Sequence, residues 1–282
     1  MAVRPVAVAV DGSEESLAAV EWAARTARLH DRPLLIAAAP TARRASYGAG
    51  VPEPMVTSAR RGMAARALDA AIRRADATVP GLDVRTALLS GLPPFAVAAA
   101  GQDASMLVTG ARGAGGFAAM VLGSVSRYAA THAACPVVVV RAAPAGMCRE
   151  VVVGIQDAEQ SSDALAFALE EARSRGAELT AVHAWSWLHD DDNTGHPAAG
   201  ALARAAANLA DALEPWRDKY PGVPIRSELV RGHPAWALAS YSARAQLVVL
   251  GRSAGLNGSD LTSIQLTTLD HARGPIAIVP SD

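Results

Sequence analysis

Short runs of valine, alanine and leucine alternate along the chain with longer alanine-rich segments of helical length. The runs at 3–10, 34–39, 82–89, 105–111 and 136–141 are short, predominantly apolar and rich in valine, the pattern read as strands buried on both faces of a parallel sheet. After the first run, Leu17, Val20, Ala24 and Ala27 recur at helical spacing. Ser13, followed by Glu14 and Glu15, supplies a capping hydroxyl and early negative charge that suits a helix dipole. Strand–helix alternation predicts a parallel sheet with right-handed crossovers and helices on both faces. In such sheets ligands sit at the carboxyl ends of strands, near the point where strand order reverses. The loop after 105–111 is expected to emerge there.

The pattern then repeats. "VAVAVDGSEESLAAVEWA" (6–23) lies over "VVVGIQDAEQSSDALAFA" (151–168) without a gap, and "PLLIAAAP" (33–40) falls on "ELTAVHAW" (178–185) at the same offset. Further on, "LLSGLPPFAVA" (88–98) meets "LVRGHPAWALA" (229–239), and "SMLVTGARG" (105–113) meets "QLVVLGRSA" (246–254). Finally "THAACPVVVV" (131–140) meets "DHARGPIAIV" (270–279). A match running through both halves marks a duplicated domain. The expected domains are 1–142 and 149–282, joined by the short Ala-, Pro- and Gly-rich stretch 141–148.

Composition narrows the chemistry. The 282 residues suit two domains of about 140. Apolar residues make up 51% and aromatics only 4%, so the cores must be built from Ala, Val and Leu. The net charge of −1 and the scattered cations give no basic field, so nucleic acid is not an expected partner. Lys219 is the only lysine, which removes lysine nucleophiles and a P-loop lysine. No signal-peptide pattern and no membrane span are read, and Cys135 and Cys148 make no disulfide framework. The expected setting is the cytoplasm.

The candidate chemistry lies in "TGARGAGGFAAMVLGSVS" (109–126). Gly110, Gly113, Gly123 and Ser124 form G-x2-G-x9-G-S. Glycines at a strand end let a ligand approach the main chain. A helix starting near Gly123–Ser124 would offer its first N–H groups to an anion without any lysine. Ser124 and Ser126 are candidate hydroxyl donors and Arg112 a movable positive charge. The G-K-[ST] ending of a Walker loop is absent. Asp11, at the end of the first strand, is placed to accept hydrogen bonds from ribose hydroxyls while the loop faces phosphates. A surface loop with a Gly-Ser cap, and a turn role for Asp11, are the plainer readings of the same residues.

This glycine motif, continued as "GSVSRYAATHAACPVVVVR", together with the opening "VAVAVDGSEESLAAVEWA", resembles the universal stress protein family, in a tandem form covering both halves. The resemblance implies two doubly wound α/β domains, each a five-stranded parallel sheet in order 3-2-1-4-5, with ATP bound in the members that carry this motif. It implies Asp11 at the ribose and main chain near Ala38 and Ala39 at the adenine. Gly110, Arg112, Gly113, Gly123, Ser124, Val125 and Ser126 would surround the phosphates, with Mg²⁺ accompanying the triphosphate. It also implies dimerisation through the last strand, as a pseudo-dimer of the two halves or a homodimer. The resulting expectation is an ATP-binding regulatory protein of stress or dormancy, with at most slow hydrolysis. The alternatives are an ATP hydrolase or phosphotransferase on the same scaffold, and a nucleotide-free dimerisation module.

The second half departs from the motif. Gln156 replaces Asp11, Ala254 replaces Gly113 and Thr262 replaces Gly123, in a loop two residues shorter that keeps Gly251 and Ser263. Weak or no nucleotide binding is expected there, on the reasoning that Gly113 needs positive φ and that a Cβ would obstruct a phosphate. Gly255 and Gly258 leave room for a rebuilt loop. His132 with Cys135, and the cluster His189, Asp190, Asp191, Asp192 and His196, are read as helix-end and loop residues, not metal sites. Trp185, Trp187, Trp216 and Trp236 are read as core or interdomain packing.

Overall fold

The structure, a computed structural model, describes residues 3–40, 53–113, 122–141, 149–185, 197–252 and 261–281. Two compact units, Met1–Ala143 and Pro144–Asp282, divide the chain. In the first, strands β1 (Val6–Val10), β2 (Leu34–Ala38), β3 (Val84–Leu88), β4 (Met106–Gly110) and β5 (Val137–Val140) alternate with helices α1 (Glu14–Leu29), α2 (Glu53–Thr78), α3 (Pro93–Ala100) and α4 (Ser124–His132). The strand order is β3-β2-β1-β4-β5 and every pairing is parallel. The chain steps outward from β1 to β3, then crosses back to β4, so the reversal falls between β1 and β4. Their register sets Ala9 opposite Thr109, which brings Asp11 beside the exit of Gly110.

The second unit repeats the plan with β6 (Glu150–Gly154), β7 (Glu178–Trp185), β8 (Ile225–Arg231), β9 (Leu247–Arg252) and β10 (Ile276–Pro280). Its helices are α5 (Ser162–Arg175), α6 (Pro197–Lys219), α7 (Pro234–Tyr241) and α8 (Ser263–His271). Its order is β8-β7-β6-β9-β10, again all parallel. The expected α/β class and the 3-2-1-4-5 order in each half are therefore the observed ones. Among the described residues, no helix is long and apolar enough to cross a membrane.

Valine, leucine and alanine fill the cores. β1, β4 and β5 are buried along their whole length. On α1, Leu17, Val20, Ala24 and Ala27 are buried, so small side chains define the inner face where alanine blurred it in the sequence. Ser13 caps that helix, its Oγ accepting from the Ser16 N–H at 3.2 Å. Burial on both faces does not extend to β3. There Arg85, Thr86 and Leu88 are exposed, because an edge strand has a neighbour on one side only. Trp236 departs from its expected core role as well, being 56% exposed on α7 with its ring 4.3 Å from that of His271. Trp185 and Trp216 are half-buried. Trp187, the cluster from His189 to His196, and most of the join lie outside the described residues.

Candidate functional site

A cavity of about 290 Å³ opens at the reversal point of the first unit. Its wall takes Asp11 from the end of β1, Ala39 from the end of β2, and Gly110, Arg112 and Gly113 from the exit of β4. The start of α4 adds Gly123, Ser124, Val125 and Ser126. Of the expected site residues, only Ala38 is not on the wall. It is fully buried, and its carbonyl accepts from the Leu89 N–H at 2.8 Å.

Asp11 is held by the turn that follows it. Gly12, at φ +85°, swings the chain from β1 toward α1. Asp11 Oδ1 then accepts from the Ser13 N–H at 3.0 Å and from the Ser13 hydroxyl at 2.6 Å. The turn role and the cavity role thus coexist in one side chain. Arg112 reaches back to Glu15 on the first turn of α1, 3.2 Å away, with both side chains partly exposed. That pairing keeps the guanidinium at the rim, in a geometry where solvent screens it and release is easy.

The three motif glycines have three different uses, none of them a left-handed backbone. A Cβ on Gly110 would lie 2.8 Å from the backbone carbon and oxygen of Glu15, so this glycine lets α1 press against the end of β4. A Cβ on Gly113 would lie 2.5 Å from Asp11 Oδ2. The expected positive φ is absent at Gly113, where the missing Cβ leaves room for the Asp11 carboxylate. Gly123 is the N-cap of α4, in extended conformation (φ −70°, ψ 152°) with no side chain to cap the helix. The N–H groups of Ser124, Val125 and Ser126 consequently have no intrahelical acceptor and sit on the cavity wall.

The serines divide their labour. Ser124 is exposed at the helix start. Ser126 is buried and its hydroxyl donates to the Gly110 carbonyl at 2.6 Å. The expectation of a free hydroxyl donor at Ser126 is therefore replaced by a tie between helix and strand, leaving its backbone N–H for a ligand. Two polar wall residues escaped the sequence reading. Ser16 is buried and donates to the Ser13 carbonyl at 2.8 Å. Thr109 is buried with its hydroxyl unpartnered among the described residues. A hydroxyl in an otherwise aliphatic strand, with Leu250 in its place in the second half, was the available signal.

In the second unit the matching place is built differently. α8 begins with a capping box: Thr262 Oγ1 accepts from the Gln265 N–H, and Gln265 Oε1 accepts from the Thr262 N–H. Gln265 Nε2 donates to the Gly251 carbonyl at 2.6 Å, the tie that Ser126 makes in the first half. At the other end, α5 begins at Ser162, where an ungapped repeat would begin it at Glu159. Ser161 Oγ accepts from the Gln156 N–H at 3.0 Å. Ala254, Gly255 and Gly258 lie outside the described residues. His132 and His271 each end a helix, α4 and α8, and the His132 ring stacks on Tyr128 at 3.9 Å. Among the described residues no group of three or more His, Cys, Asp or Glu could hold a metal ion.

Comparison with known proteins agrees with the architecture. The profile of the Universal stress protein family matches residues 2–141 and 147–280. A universal stress protein of Mycobacterium tuberculosis strain H37Rv is 34% identical over 283 residues, covering 97% of this chain and 96% of the relative. One from Mycolicibacterium smegmatis is 32% identical over 282 residues, with the same coverage. Among solved structures, a universal stress protein from Archaeoglobus fulgidus superposes with a TM-score of 0.72 at 18% identity, covering 98% of this chain and 96% of that one.

Proposed function

The chain belongs to the universal stress protein family, and on that premise we propose that its first half binds ATP and that the protein acts as a nucleotide-responsive regulator in a stress response. One observation carries the reading: a single cavity gathers Asp11, the three motif glycines and the uncapped start of α4. The donors for the phosphates are backbone N–H groups at a helix N-terminus, which need no lysine. Asp11, fixed through Ser13, is the acceptor for ribose hydroxyls, and Ala39 lies where the adenine would rest. Arg112 exchanges Glu15 for phosphate as the ligand enters.

The residues fit the nucleotide better than they fit a metal. With no cluster of three ligands among the described residues, Mg²⁺ would be carried by the phosphates and water, its usual mode with nucleotides. The proposal is binding and not turnover, with the Asp11 carboxylate on the wall assigned to the ribose. A cytoplasmic location, and pairing as a pseudo-dimer or homodimer, belong to the same proposal and rest on the family resemblance alone.

A thermal-shift titration with ATP and magnesium tests it. Ligand at about 100 times its dissociation constant stabilises a protein by about 2.7 kcal/mol. No shift would remove the nucleotide reading. Sustained phosphate release, abolished by Asp11→Ala, would replace it with an enzymatic one.

A further inference from the structure

The second half retains a cavity of about 300 Å³ at the matching strand ends, as large as the first and made of different groups. Its charges have been removed in kind. Where the first half has Asp11, Glu15 and Arg112, the second has Gln156, Gln160 and Ser253. Both carboxylates become amides of nearly related shape and the cation disappears with them. Gln156 and Gln160 line the cavity, and no Asp, Glu, Lys or Arg is among its described wall residues. The anion-seeking helix end is altered in the same sense. The capping box of α8 occupies the Gln265 N–H, the counterpart of a donor left open at Ser126.

The floor has changed as well. Thr109 and Val97 of the first cavity are matched by Leu250 and Leu238. Gly154 replaces Ala9, and the substitution makes room: a Cβ there would lie 2.9 Å from Leu250 Cδ2 and 3.0 Å from Leu238 Cδ1. Two leucines packed against a glycine give the cavity an aliphatic floor. His183, also on the wall, donates from Nδ1 to the Ile155 carbonyl at 3.0 Å, since a carbonyl only accepts. The two glutamines offer donors and acceptors together. An apolar floor with a few neutral hydrogen-bonding groups selects a planar, polar-edged, uncharged ligand.

The retained glycine does not argue for a phosphate here. A Cβ on Gly251 would lie 3.3 Å from the Gln160 carbonyl oxygen, as one on Gly110 would press on the backbone of Glu15. The copy kept the glycine that packs the helix, while at the positions of Gly113 and Gly123, which border the first cavity, it carries Ala254 and Thr262.

We propose that the second cavity binds an uncharged heterocycle of nucleoside size, without phosphate. The inference uses residues of the second half only and stands whether or not the first half binds ATP. Its test is calorimetric titration of the full chain carrying Gly113→Leu, which blocks the first cavity. Adenosine, inosine and guanosine are compared with their 5′-monophosphates. At least one nucleoside binds, and its monophosphate binds about tenfold more weakly or worse, since the described wall carries no Lys or Arg and the capping box takes up the third N–H of the α8 start. Gln156→Ala, at an exposed side chain, weakens the nucleoside about threefold or more. Ala184→Phe, filling the cavity, removes it. Gln156→Ala decides the matter should Ala184→Phe fail to fold. Binding of none of the three nucleosides, equal binding of the monophosphate, or indifference to Gln156→Ala would overturn the proposal.

Discussion

The carboxylate of Asp11 occupies the space that a side chain at Gly113 would need, with Oδ2 only 2.5 Å from the position of the missing Cβ. Two residues a hundred positions apart are thereby fitted to each other at the mouth of the first cavity. In Gly113→Ala the carboxylate must turn away, at a folding cost of about 1 kcal/mol or less, because the clashing atom ends a movable side chain. The larger effect falls on the ligand. At an ATP concentration that stabilises the unmodified chain by about 2.7 kcal/mol, the variant gains less than half as much. An equal thermal shift in both proteins contradicts this.

Gly110 is set against the start of α1, and Gly251 against the turn just before α5, by different margins. A Cβ at Gly110 meets backbone atoms at 2.8 Å, and one at Gly251 meets a carbonyl oxygen at 3.3 Å. Backbone cannot step aside as a side chain can. Gly110→Ala therefore destabilises by about 2–3 kcal/mol and Gly251→Ala by about 1 kcal/mol. Urea unfolding of the two variants reads the difference, and equal midpoints would refute it.

Ser126 and Gln265 tie their helices to the same strand-end carbonyl. Ser126→Ala leaves the Gly110 carbonyl without this donor and costs about 1–3 kcal/mol. Gln265→Ala loses the Gly251 tie and half of the capping box, and costs at least as much, about 2–3 kcal/mol. Chemical denaturation checks both values. A neutral Ser126→Ala would mean that another group satisfies the carbonyl.

Tyr241 carries a pH signature. Burial, and then the hydrogen bond its phenol donates to the Glu228 carboxylate, push its pKa up to about 12. The folded state thus favours the neutral phenol more than the unfolded chain does. That stabilisation is complete below about pH 10, the ordinary tyrosine value, and is lost as pH rises through about 12. Ultraviolet phenolate titration shows one late-titrating tyrosine that disappears in Tyr241→Phe. The same variant flattens the alkaline loss of stability between those limits.

Sheet order and repeat were legible because periodicity and offset are carried by many residues at once. The apolar runs mark β1, β4 and β5, which are buried throughout, whereas β3, grouped with them despite Arg85 and Thr86, lies at an exposed edge. Edge position is a property of the assembled sheet, at which the polar Arg85 and Thr86 hint without fixing it. At the site, residue types pointed to Asp11, the glycines and the helix start, but not to the division of labour among them. Ser126 looked like a ligand donor and is a strand tie. Gly113 looked like a left-handed hinge and is a gap left for a carboxylate. Both distinctions depend on distances between segments remote in the chain. The amide-for-carboxylate exchanges at Gln156 and Gln160 were present in the aligned copies, but their meaning needed the cavity that joins them.

The tie at the base of the glycine loop has an evolutionary consequence. The Gly123 N–H donates to the Ala111 carbonyl at 2.8 Å and the Ser126 hydroxyl to that of Gly110, so the strand end and helix start are stitched together below the loop. What lies above the stitch can lengthen, shorten or change its residues without asking the sheet for permission. The second copy, two residues shorter and stitched by a glutamine, is that freedom already exercised. Each half is in this sense a fixed chassis with an interchangeable mouth. A gene duplication then gives one chain two independent chances to choose what it holds.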